Sequence, residues 1–334
     1  MLIRTVLLCF SLLLALLVKE EPQQQFVLRG FAQGTEYSIR YFAVKLKVSE
    51  GEIDSLLSLV DSSMSLYKSY SQINTFNHST KGLMIDRHFK AVMERSFEIS
   101  KDTRGKFDVT VAPLVRAWGF GPDGLQQFPD SAAVKGLLEN VGMEHLQLTG
   151  MQLNKLKPEV TVDLNGIAQG YTVDLLADFL ARKGISSFVV EIGGELRVRG
   201  VKPDGNMFRI GIEGPLENDA SGVKIKHVIG FTNAALTTSG NYQKYLQFGG
   251  RKISHLIDPK TGFPLDTEMI SVTVFAKDAI TADGYDNALM AMTVPEALAF
   301  VKARKDMEAY MIYQRKGQAI KDTMTVGFKK MLVN

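Results

Sequence analysis

Cysteine is almost absent from this chain of 334 residues, and its one copy is Cys9, near the N-terminus. The sequence from residue 10 onward therefore contains no thiol and no disulfide. Exported proteins avoid a stray thiol, so this absence favours a protein that works outside the reducing cytoplasm.

A strong net charge is also absent, since 39 lysines and arginines against 36 aspartates and glutamates leave a net charge of +3. No block of basic residues with interleaved aromatics occurs in the sequence. Charge therefore gives no indication of nucleic acid, and we expect a small molecule or a protein surface as the partner. The composition, 45% hydrophobic and 22% charged, is that of an ordinary globular protein.

The first 24 residues have the pattern of a secretory segment. Arg4 precedes an apolar run from Val6 to Val18, which fits a signal peptide and is short for a membrane span of roughly 20 residues. No small-residue cleavage site is evident, so an uncleaved anchor is one alternative and lipid-modified Cys9 is another. We predict a signal peptide or membrane anchor at residues 1–24 and a domain at residues 25–334, exported and either inner-membrane associated or periplasmic.

The rest of the sequence mixes strands and helices without strict alternation. Residues 26–48 predict strands around a turn at Gln33, and Ser49 with Glu52 forms a capping box that opens a helix. After residue 25 there is no internal repeat, low-complexity tract or linker. The pattern predicts one compact domain of the α+β class.

The stretch from Asp163 to Tyr171 organises this domain. It joins a strand predicted at Val160–Val162 to a helix predicted at Thr172–Arg182 through a glycine-containing turn, and a further strand at residues 187–192 completes a strand, helix, strand unit. A helix that follows such a turn presents free N–H groups, which suits a phosphate. An ordinary turn with Asp163 as a local cap is the simpler alternative.

Two other segments are distinctive. Residues 65–77 are polar and aromatic without helical periodicity, so we interpret them as a loop that presents side chains. The one tryptophan, Trp118, lies in a Gly-Phe-Gly-Pro context, and we interpret it as a core anchor.

Together these motifs resemble the ApbE-type FAD:protein FMN transferases, and they follow the order of that family from about residue 26 to the C-terminus. The resembling segments are Gly34–Tyr37, Met64–Asn77, Phe107–Thr110, Trp118–Pro122, Asp163–Tyr171, Glu191–Glu195, Thr237–Gly240, Ser254–Gly262 and Ala282–Asp283. The resemblance implies a single domain of the ApbE type.

The resemblance also implies an activity, namely transfer of the FMN half of FAD to a threonine hydroxyl of an acceptor protein. A phosphoester forms and AMP is released. FAD is the implied substrate and Mg²⁺ the implied cofactor, because a cation that bridges the pyrophosphate stabilises the charge of the transition state. The implied acceptor is a subunit of a membrane redox complex, such as a sodium-pumping NADH:quinone reductase.

Positions that match the family motifs supply the predicted flavin contacts. These are Tyr67, Lys106, Phe107, Asp108, Asp163, Gln169 and Ile257. Tyr67 is expected to stack on a ring system and Asp163 to accept hydrogen bonds. Gln169 stands where the family more often has lysine, and Gln33 stands where it usually has methionine.

The predicted metal ligands are Asp283, the Gly166 carbonyl and Asn287, where the family more often has threonine. Asp286 is the alternative third ligand. Oxygen ligands of this kind suit Mg²⁺. A helix N-cap is the alternative role expected for Asp283, and a carboxylate at a helix start can serve as both cap and ligand.

His255 is the predicted general base for the acceptor hydroxyl, since a neutral imidazole near pH 7 accepts a proton. There are two alternatives: His255 is a structural histidine beside Asp258, or Asp258 is the base.

Two other functions stay open. The departures at Asn287 and Gln169 keep open a non-catalytic flavin-binding or storage protein, and water in place of the acceptor hydroxyl would give FAD hydrolysis to FMN and AMP.

Overall fold

The computed structural model describes residues 21–122, 124–125, 127–215, 224–241, 245–248 and 251–333. The predicted signal or anchor segment lies almost entirely outside these ranges. Within them, no helix is both long enough and apolar enough to cross a membrane.

Strands and helices follow one another irregularly along the described chain. The strands are β1 (Gln24–Ala32), β2 (Thr35–Ala43), β3 (Gly82–Met84), β4 (Leu146–Thr149), β5 (Gln152–Lys155), β6 (Phe188–Ile192), β7 (Glu195–Arg199), β8 (Phe208–Gly214), β9 (Lys224–Phe231), β10 (Ala234–Gly240), β11 (Tyr245–Phe248), β12 (Arg251–Ser254), β13 (Met269–Ala276), β14 (Glu308–Tyr313) and β15 (Lys321–Met324). The helices are α1 (Glu50–Met64), α2 (Gln72–His78), α3 (Arg87–Asp102), α4 (Ala112–Ala117), α5 (Ser131–Leu138), α6 (Ala168–Arg182), α7 (Ala279–Met290), α8 (Val294–Lys302) and α9 (Val326–Lys330). Short 3-10 turns lie at Val109–Val111 and Met143–His145.

One sheet of eight strands forms the centre of the fold, in the order β1, β2, β6, β7, β10, β13, β14, β15. All neighbouring strands in it are antiparallel. The other described strands form small antiparallel sheets, namely β3, β5 and β4 together, β8 with β9, and β11 with β12. Helices and sheets in this irregular order confirm the predicted α+β class, in a single compact domain.

The central sheet is covered on both faces, as the alternation along β6 shows. Val190 packs with the apolar face of α6, which includes Val173, Leu176 and Leu180, whereas its neighbour Val189 packs on the opposite side with β8, β9 and α9. Side chains on one strand alternate between faces, so consecutive valines enter separate clusters. Helix α7 packs against α6, β10 and β13 and brings its polar face to that junction.

Most local sequence signals for helix starts are confirmed, but a cap at Asp283 is wrong, because α7 begins at Ala279 and Asp278 is its N-cap. The capping boxes at Ser49 with Glu52 and at Thr293 with Glu296 are both formed. The Asp86 carboxylate accepts hydrogen bonds from the first backbone N–H groups of α3. Such contacts satisfy groups that a helix terminus otherwise leaves unpaired.

The predicted strand, helix, strand unit is wrong. Val160 and Val162 are fully buried, but they belong to no strand, and Val162 pairs its backbone with the Asn77 side chain. Burial in the core therefore produced the alternating pattern, without strand pairing. Strand β6 pairs antiparallel with both β2 and β7.

Two boundaries also differ from the prediction. Helix α6 begins at Ala168, four residues before the predicted start at Thr172, because Gly170 is accommodated inside its first turn. The segment 65–77 is only partly a loop, since α2 occupies Gln72–His78 and buries Ile73 and Phe76. A helix of seven residues has too few turns to show a clear period.

Candidate functional site

The turn from Asp163 to Ile167 is fixed on both sides by backbone contacts. The Asp163 N–H donates to the Val109 carbonyl at 2.8 Å, and the Asp163 carboxylate accepts the Asn165 N–H at 2.8 Å. At its other end, the Ala168 N–H donates to the Leu164 carbonyl at 2.8 Å and starts α6. The turn therefore holds Asp163 and the Gly166 carbonyl in a defined relation.

A cleft of about 550 Å³ opens beside this turn, and its walls include Tyr67, Asn77, Arg116 and Asp163. This volume is within the range of small-molecule sites. The Tyr67 side chain is 65% exposed, so its ring is available for stacking. Two predicted flavin contacts, Tyr67 and Asp163, thus share one cleft.

Asn77 joins the aromatic segment to the turn. Its amide donates to the Val162 carbonyl at 2.9 Å and accepts the Val162 N–H at 2.8 Å. Its own carbonyl accepts from the Lys155 ammonium at 3.1 Å, and burial lowers the pKa of Lys155 to about 8. Sequence reasoning placed Asn77 in a family segment without giving it a role, and because its partner Val162 is 85 residues away, no local signal identifies this contact.

Burial raises the pKa of the Asp163 carboxyl group, and the Asn165 N–H and the Arg116 charge act in the opposite direction. Burial together with the Asp163 charge raises the pKa of Tyr67. At neutral pH Tyr67 therefore carries its hydroxyl proton and can donate it to an acceptor on a ligand.

Oxygen atoms converge at the Asn287 side chain. Its Nδ2 lies 3.2 Å from the Gly166 carbonyl oxygen, 3.0 Å from the Asp283 carbonyl oxygen, 3.4 Å from Asp283 Oδ1 and 3.0 Å from Asp286 Oδ1. An amide nitrogen has two hydrogens, so it cannot donate fully to four acceptors. The predicted metal-ligand positions therefore lie together around one point, and their role as ligands stays a prediction.

The donor set around Asn287 fits a hard divalent cation. Two carboxylates and a backbone carbonyl provide oxygen atoms, and rotation of the Asn287 amide would add a fourth. Across the residues that the structure describes, no three His, Cys, Asp or Glu side chains gather into a metal site. The set has only two such side chains, because an amide and a main-chain carbonyl complete it.

Burial dominates the electrostatics of the two carboxylates. Burial raises the pKa of Asp283 to about 7. The hydrogen bond that its carboxylate accepts from the Gly170 N–H at 2.8 Å acts in the opposite direction and lowers the pKa. The Asp286 pKa is raised well above its ordinary value by burial, and then by the Asp283 charge. Two adjacent buried carboxylates favour either a shared proton or a cation.

Hydroxyl groups of β10 orient these side chains. The Thr237 hydroxyl donates to Asp286 Oδ2 at 2.6 Å, and the Ser239 hydroxyl donates to Asn287 Oδ1 at 3.3 Å. Thr237 and Ser239 share a face of β10, whereas Thr238 bonds to Thr273 on the other face. The family resemblance includes Thr237–Gly240 without assigning it a role, and the spacing of two residues between the hydroxyls of Thr237 and Ser239 is the signal that places them on one face.

Other predicted flavin contacts lie in structural interactions. The Lys106 ammonium donates to the Ala291 carbonyl at 2.8 Å, at the C-terminal end of α7. Phe107 is in the core, and the Asp108 carboxylate accepts hydrogen bonds from Thr110 and from the Met143 N–H. None of these three side chains lines the described cleft, and their assignment as flavin contacts stays a prediction.

Gln169 and Ile257 also have defined positions away from that cleft. Gln169 Nε2 donates to the Ile192 carbonyl at 2.9 Å and lies against Gly193, so the amide connects α6 to the β6–β7 turn. Ile257 is buried in a small cluster with Leu114 and Trp118. Both remain predicted flavin contacts rather than observed ones.

His255 lies beside the glycine turn that follows α4. Its ring packs edge-on to Phe120 with centroids 6.2 Å apart. Gly121, which follows Phe120 in the chain, lines the cleft. His255 is therefore near the cleft wall, half-buried, and its role as a base stays a prediction.

Trp118 is confirmed as a core anchor. The residue is 8% exposed, and its indole N–H donates to the Gly262 carbonyl at 2.8 Å. Its ring packs against Phe128 and Phe263. This contact joins the segment after α4 to the segment that contains Ile257.

Comparison with known proteins gives a consistent result. The sequence model of the ApbE family matches residues 33–311. An FAD:protein FMN transferase of Vibrio cholerae is 37% identical over 309 residues, covering 90% of this chain and 92% of that protein.

Two solved structures have the same fold. The flavin transferase ApbE from Vibrio cholerae has a TM-score of 0.83 and 35% identity, and the comparison covers 93% of this chain and 100% of that one. The apo form of the Pseudomonas stutzeri flavinyl transferase ApbE has a TM-score of 0.82 and 30% identity, over 94% and 98% of the two chains.

Proposed function

Because the chain belongs to the ApbE family, we propose that it is an Mg²⁺-dependent FAD:protein FMN transferase. The acceptor is a threonine hydroxyl, whose oxygen forms a bond to the FMN phosphorus. The bond from that phosphorus to the bridging oxygen of the pyrophosphate breaks, and AMP leaves. The observation that supports this proposal is the group of oxygen atoms around Asn287. One of them is the carbonyl oxygen of Gly166, which is three residues along the chain from the cleft residue Asp163.

In this proposal the cleft binds the flavin part of FAD. Tyr67 stacks on a ring and donates its hydroxyl hydrogen, and Asp163 accepts hydrogen bonds from the ring or the ribityl chain. Asn77 maintains the distance between these two residues, because it pairs with the backbone of Val162. Preorganised contacts of this kind lower the entropy cost of positioning the phosphate.

Gly166, Asp283 and either Asn287 or Asp286 would hold Mg²⁺. When bound, the cation neutralises charge on the pyrophosphate and on the leaving phosphate. Thr237 and Ser239 restrict the rotation of Asp286 and Asn287 through their hydroxyl contacts. The side chains of β10 therefore limit where these oxygens point before the substrate arrives.

The proton of the acceptor hydroxyl passes to His255 in this proposal, since a neutral imidazole near the cleft wall can accept it. Asp258 is the alternative base. Water in place of the threonine hydroxyl would give FAD hydrolysis as a side activity.

We further propose that the protein is exported and acts outside the cytoplasm, either anchored to the inner membrane or in the periplasm. The apolar run from Val6 to Val18 after Arg4 supports this location. A subunit of a membrane redox complex is the proposed acceptor. A reporter fused after Asn334 should be active in its periplasmic form, and activity confined to the cytoplasm would contradict export.

The experiment that tests the function combines the protein, FAD, Mg²⁺ and a co-expressed candidate acceptor, with mass analysis of the denatured acceptor. Covalent flavin on a threonine is the expected product. Free FMN without covalent flavin would indicate a hydrolase, and bound but unchanged FAD would indicate a flavin-binding protein.

Variants connect the reaction to the proposed metal site. Asp283→Ala should abolish Mg²⁺-dependent transfer, whereas the matched control Asp306→Ala, at an exposed aspartate in the turn before β14, should leave it unchanged. Asn287→Thr should preserve or raise transfer, because one neutral oxygen replaces another. Full Mg²⁺-dependent activity in Asp283→Ala would contradict the proposed site.

A further inference from the structure

Arg116 is a fixed cation in the wall of the cleft. It lies in α4 and is solvent-exposed, and it lines the same cleft as Tyr67 and Asp163. Of the described residues that line the cleft, Arg116 alone carries a permanent positive charge. Its guanidinium group forms no hydrogen bond or ion pair with any residue in the part of the chain that the structure describes, so its donors face solvent or a ligand.

The backbone that carries Arg116 is rigidly held. Leu114 is fully buried, and Trp118 bonds to the Gly262 carbonyl. The Arg116 carbonyl accepts the Gly119 N–H at 3.0 Å, and a Cβ atom at Gly121 would lie only 3.2 Å from the Arg116 Cα. A guanidinium on a fixed backbone loses less entropy when it binds a ligand than one on a mobile loop.

Asp163 is the acidic residue that lines the same cleft as Arg116, and its carboxylate leaves the Arg116 guanidinium group without an ion pair among the described residues. Burial raises the pKa of Asp163 and the Arg116 charge opposes that rise, so the two groups are within electrostatic range. No ion pair within 4 Å forms between them among the described contacts. Arg116 can therefore bind a second anion while Asp163 binds the neutral part of a ligand.

The sequence predicts free backbone N–H groups at the start of α6 that could bind a phosphate, but three N–H groups there already donate hydrogen bonds within the protein. The Gly170 N–H donates to Asp283, the Ala168 N–H to Leu164 and the Tyr171 N–H to Ile167. Gln169 is neutral, and its amide donates to Ile192. Apart from the proposed Mg²⁺, a cation for a phosphate near the turn therefore has to come from another element.

We propose that Arg116 binds the pyrophosphate of FAD and thereby sets the preference of the cleft for a phosphorylated flavin over riboflavin. This inference rests on the proposed function. A guanidinium matches two phosphate oxygens at once, and such paired contacts are strong. Riboflavin has the same ring system and no phosphate, so it makes no contact with this residue.

The test measures the affinity of riboflavin, FMN and FAD by quenching of flavin fluorescence, in buffer with EDTA and without an acceptor. EDTA prevents metal-dependent turnover and leaves the pyrophosphate charge uncompensated. Arg116→Gln should weaken FAD binding about 10- to 100-fold and change riboflavin binding by less than about threefold. Arg116→Lys should retain part of the FAD affinity, because it keeps the charge and loses the paired geometry.

Arg199→Gln is the matched control, since Arg199 is exposed on β7 at the end away from the Gly193 turn. It should leave all three affinities unchanged. Added salt should weaken FAD binding to the wild-type protein more than to Arg116→Gln.

Equal losses for riboflavin and FAD in Arg116→Gln would overturn the inference. If the wild-type protein binds FAD, an Arg116→Gln variant with the same FAD affinity would overturn it too. A wild-type protein that binds no flavin would instead overturn the proposed function. The two failures are therefore distinguishable in one titration series.

Discussion

Asp283 should make the metal-free protein less stable at neutral pH than at mildly acidic pH. The side chain is 4% exposed, and burial raises its pKa from an ordinary value of 3.8 to about 7. Between these values the native state binds more protons than the unfolded state, so the free energy of unfolding falls as pH rises. The loss begins near pH 4 and is complete above about pH 7.

The size of this effect follows from the pKa difference. Each pKa unit corresponds to about 1.4 kcal/mol, so the rise to about 7 corresponds to about 4 kcal/mol at most. Because Asp286 titrates together with Asp283, we expect about 2 to 4 kcal/mol for Asp283 alone. Asp283→Asn removes this titration and keeps an oxygen that can accept the Gly170 N–H.

Urea unfolding in EDTA at about pH 5.5 and about pH 8 measures the effect. The stability advantage of Asp283→Asn over wild type should be about twice as large at pH 8 as at pH 5.5, because the loss in the wild-type protein is spread from about pH 4 to about pH 7. Adding Mg²⁺ should stabilise the wild-type protein at pH 8 and leave the variant unchanged, because binding to the native state adds stability. Wild-type stability that rises from pH 5.5 to pH 8 relative to the variant would refute the reasoning.

Two further predictions concern the base and the cleft. His255→Ala should lower the transfer rate about 100-fold or more with FAD affinity nearly unchanged, measured by steady-state kinetics and flavin titration, and an equal loss of affinity would indicate a positioning residue instead. Asn77→Ala should lower the free energy of unfolding by about 2 to 4 kcal/mol, because it leaves the buried Val162 N–H and carbonyl unpaired. Urea unfolding tests it, and a loss below about 0.5 kcal/mol would contradict the account of Asn77.

Helix starts could be predicted from the sequence because their signals are local. Ser49 and Glu52 are three residues apart, and the capping box they form depends only on that spacing. The hairpin of β1 and β2 around Gln33 was predictable for the same reason. Trp118 was predictable as an anchor because a large ring gains most from burial.

The strand at Val160–Val162 was wrong because burial and strand pairing give the same alternating pattern. Only the distant Asn77 side chain explains why the backbone of Val162 needs no strand partner. The sequence separation is 85 residues, and no local rule connects two such positions.

The oxygen group around Asn287 was predictable as a set of residues through the family resemblance, yet its electrostatics were not. The pKa of Asp283 depends on how deeply α7 packs between α6 and the sheet, which only the assembled structure defines. The Thr237 and Ser239 contacts likewise need β10 to face α7. The role of Arg116 depends on a cleft formed by several segments.

The last prediction concerns Gly170, where the backbone of α6 lies close to α7. A Cβ atom there would lie 2.4 Å from the Ala279 carbonyl oxygen and 2.7 Å from the Asp283 Cβ. Both are parts of α7 that cannot move without the helix, so Gly170→Ala must displace one helix relative to the other. Overpacking of this kind costs about 1 to 3 kcal/mol, which exceeds the gain of up to about 1 kcal/mol from alanine in a helix.

The matched control is Gly136→Ala in α5, where an added Cβ atom meets no atom within 4 Å and only the helical gain remains. Urea unfolding should therefore show a loss of stability for Gly170→Ala and a small gain for Gly136→Ala. The displaced helix would also move Asp283 away from the Gly166 carbonyl, so Mg²⁺ should stabilise Gly170→Ala less than wild type. Equal stabilisation by Mg²⁺ in both proteins would show that the metal site does not depend on this helix contact.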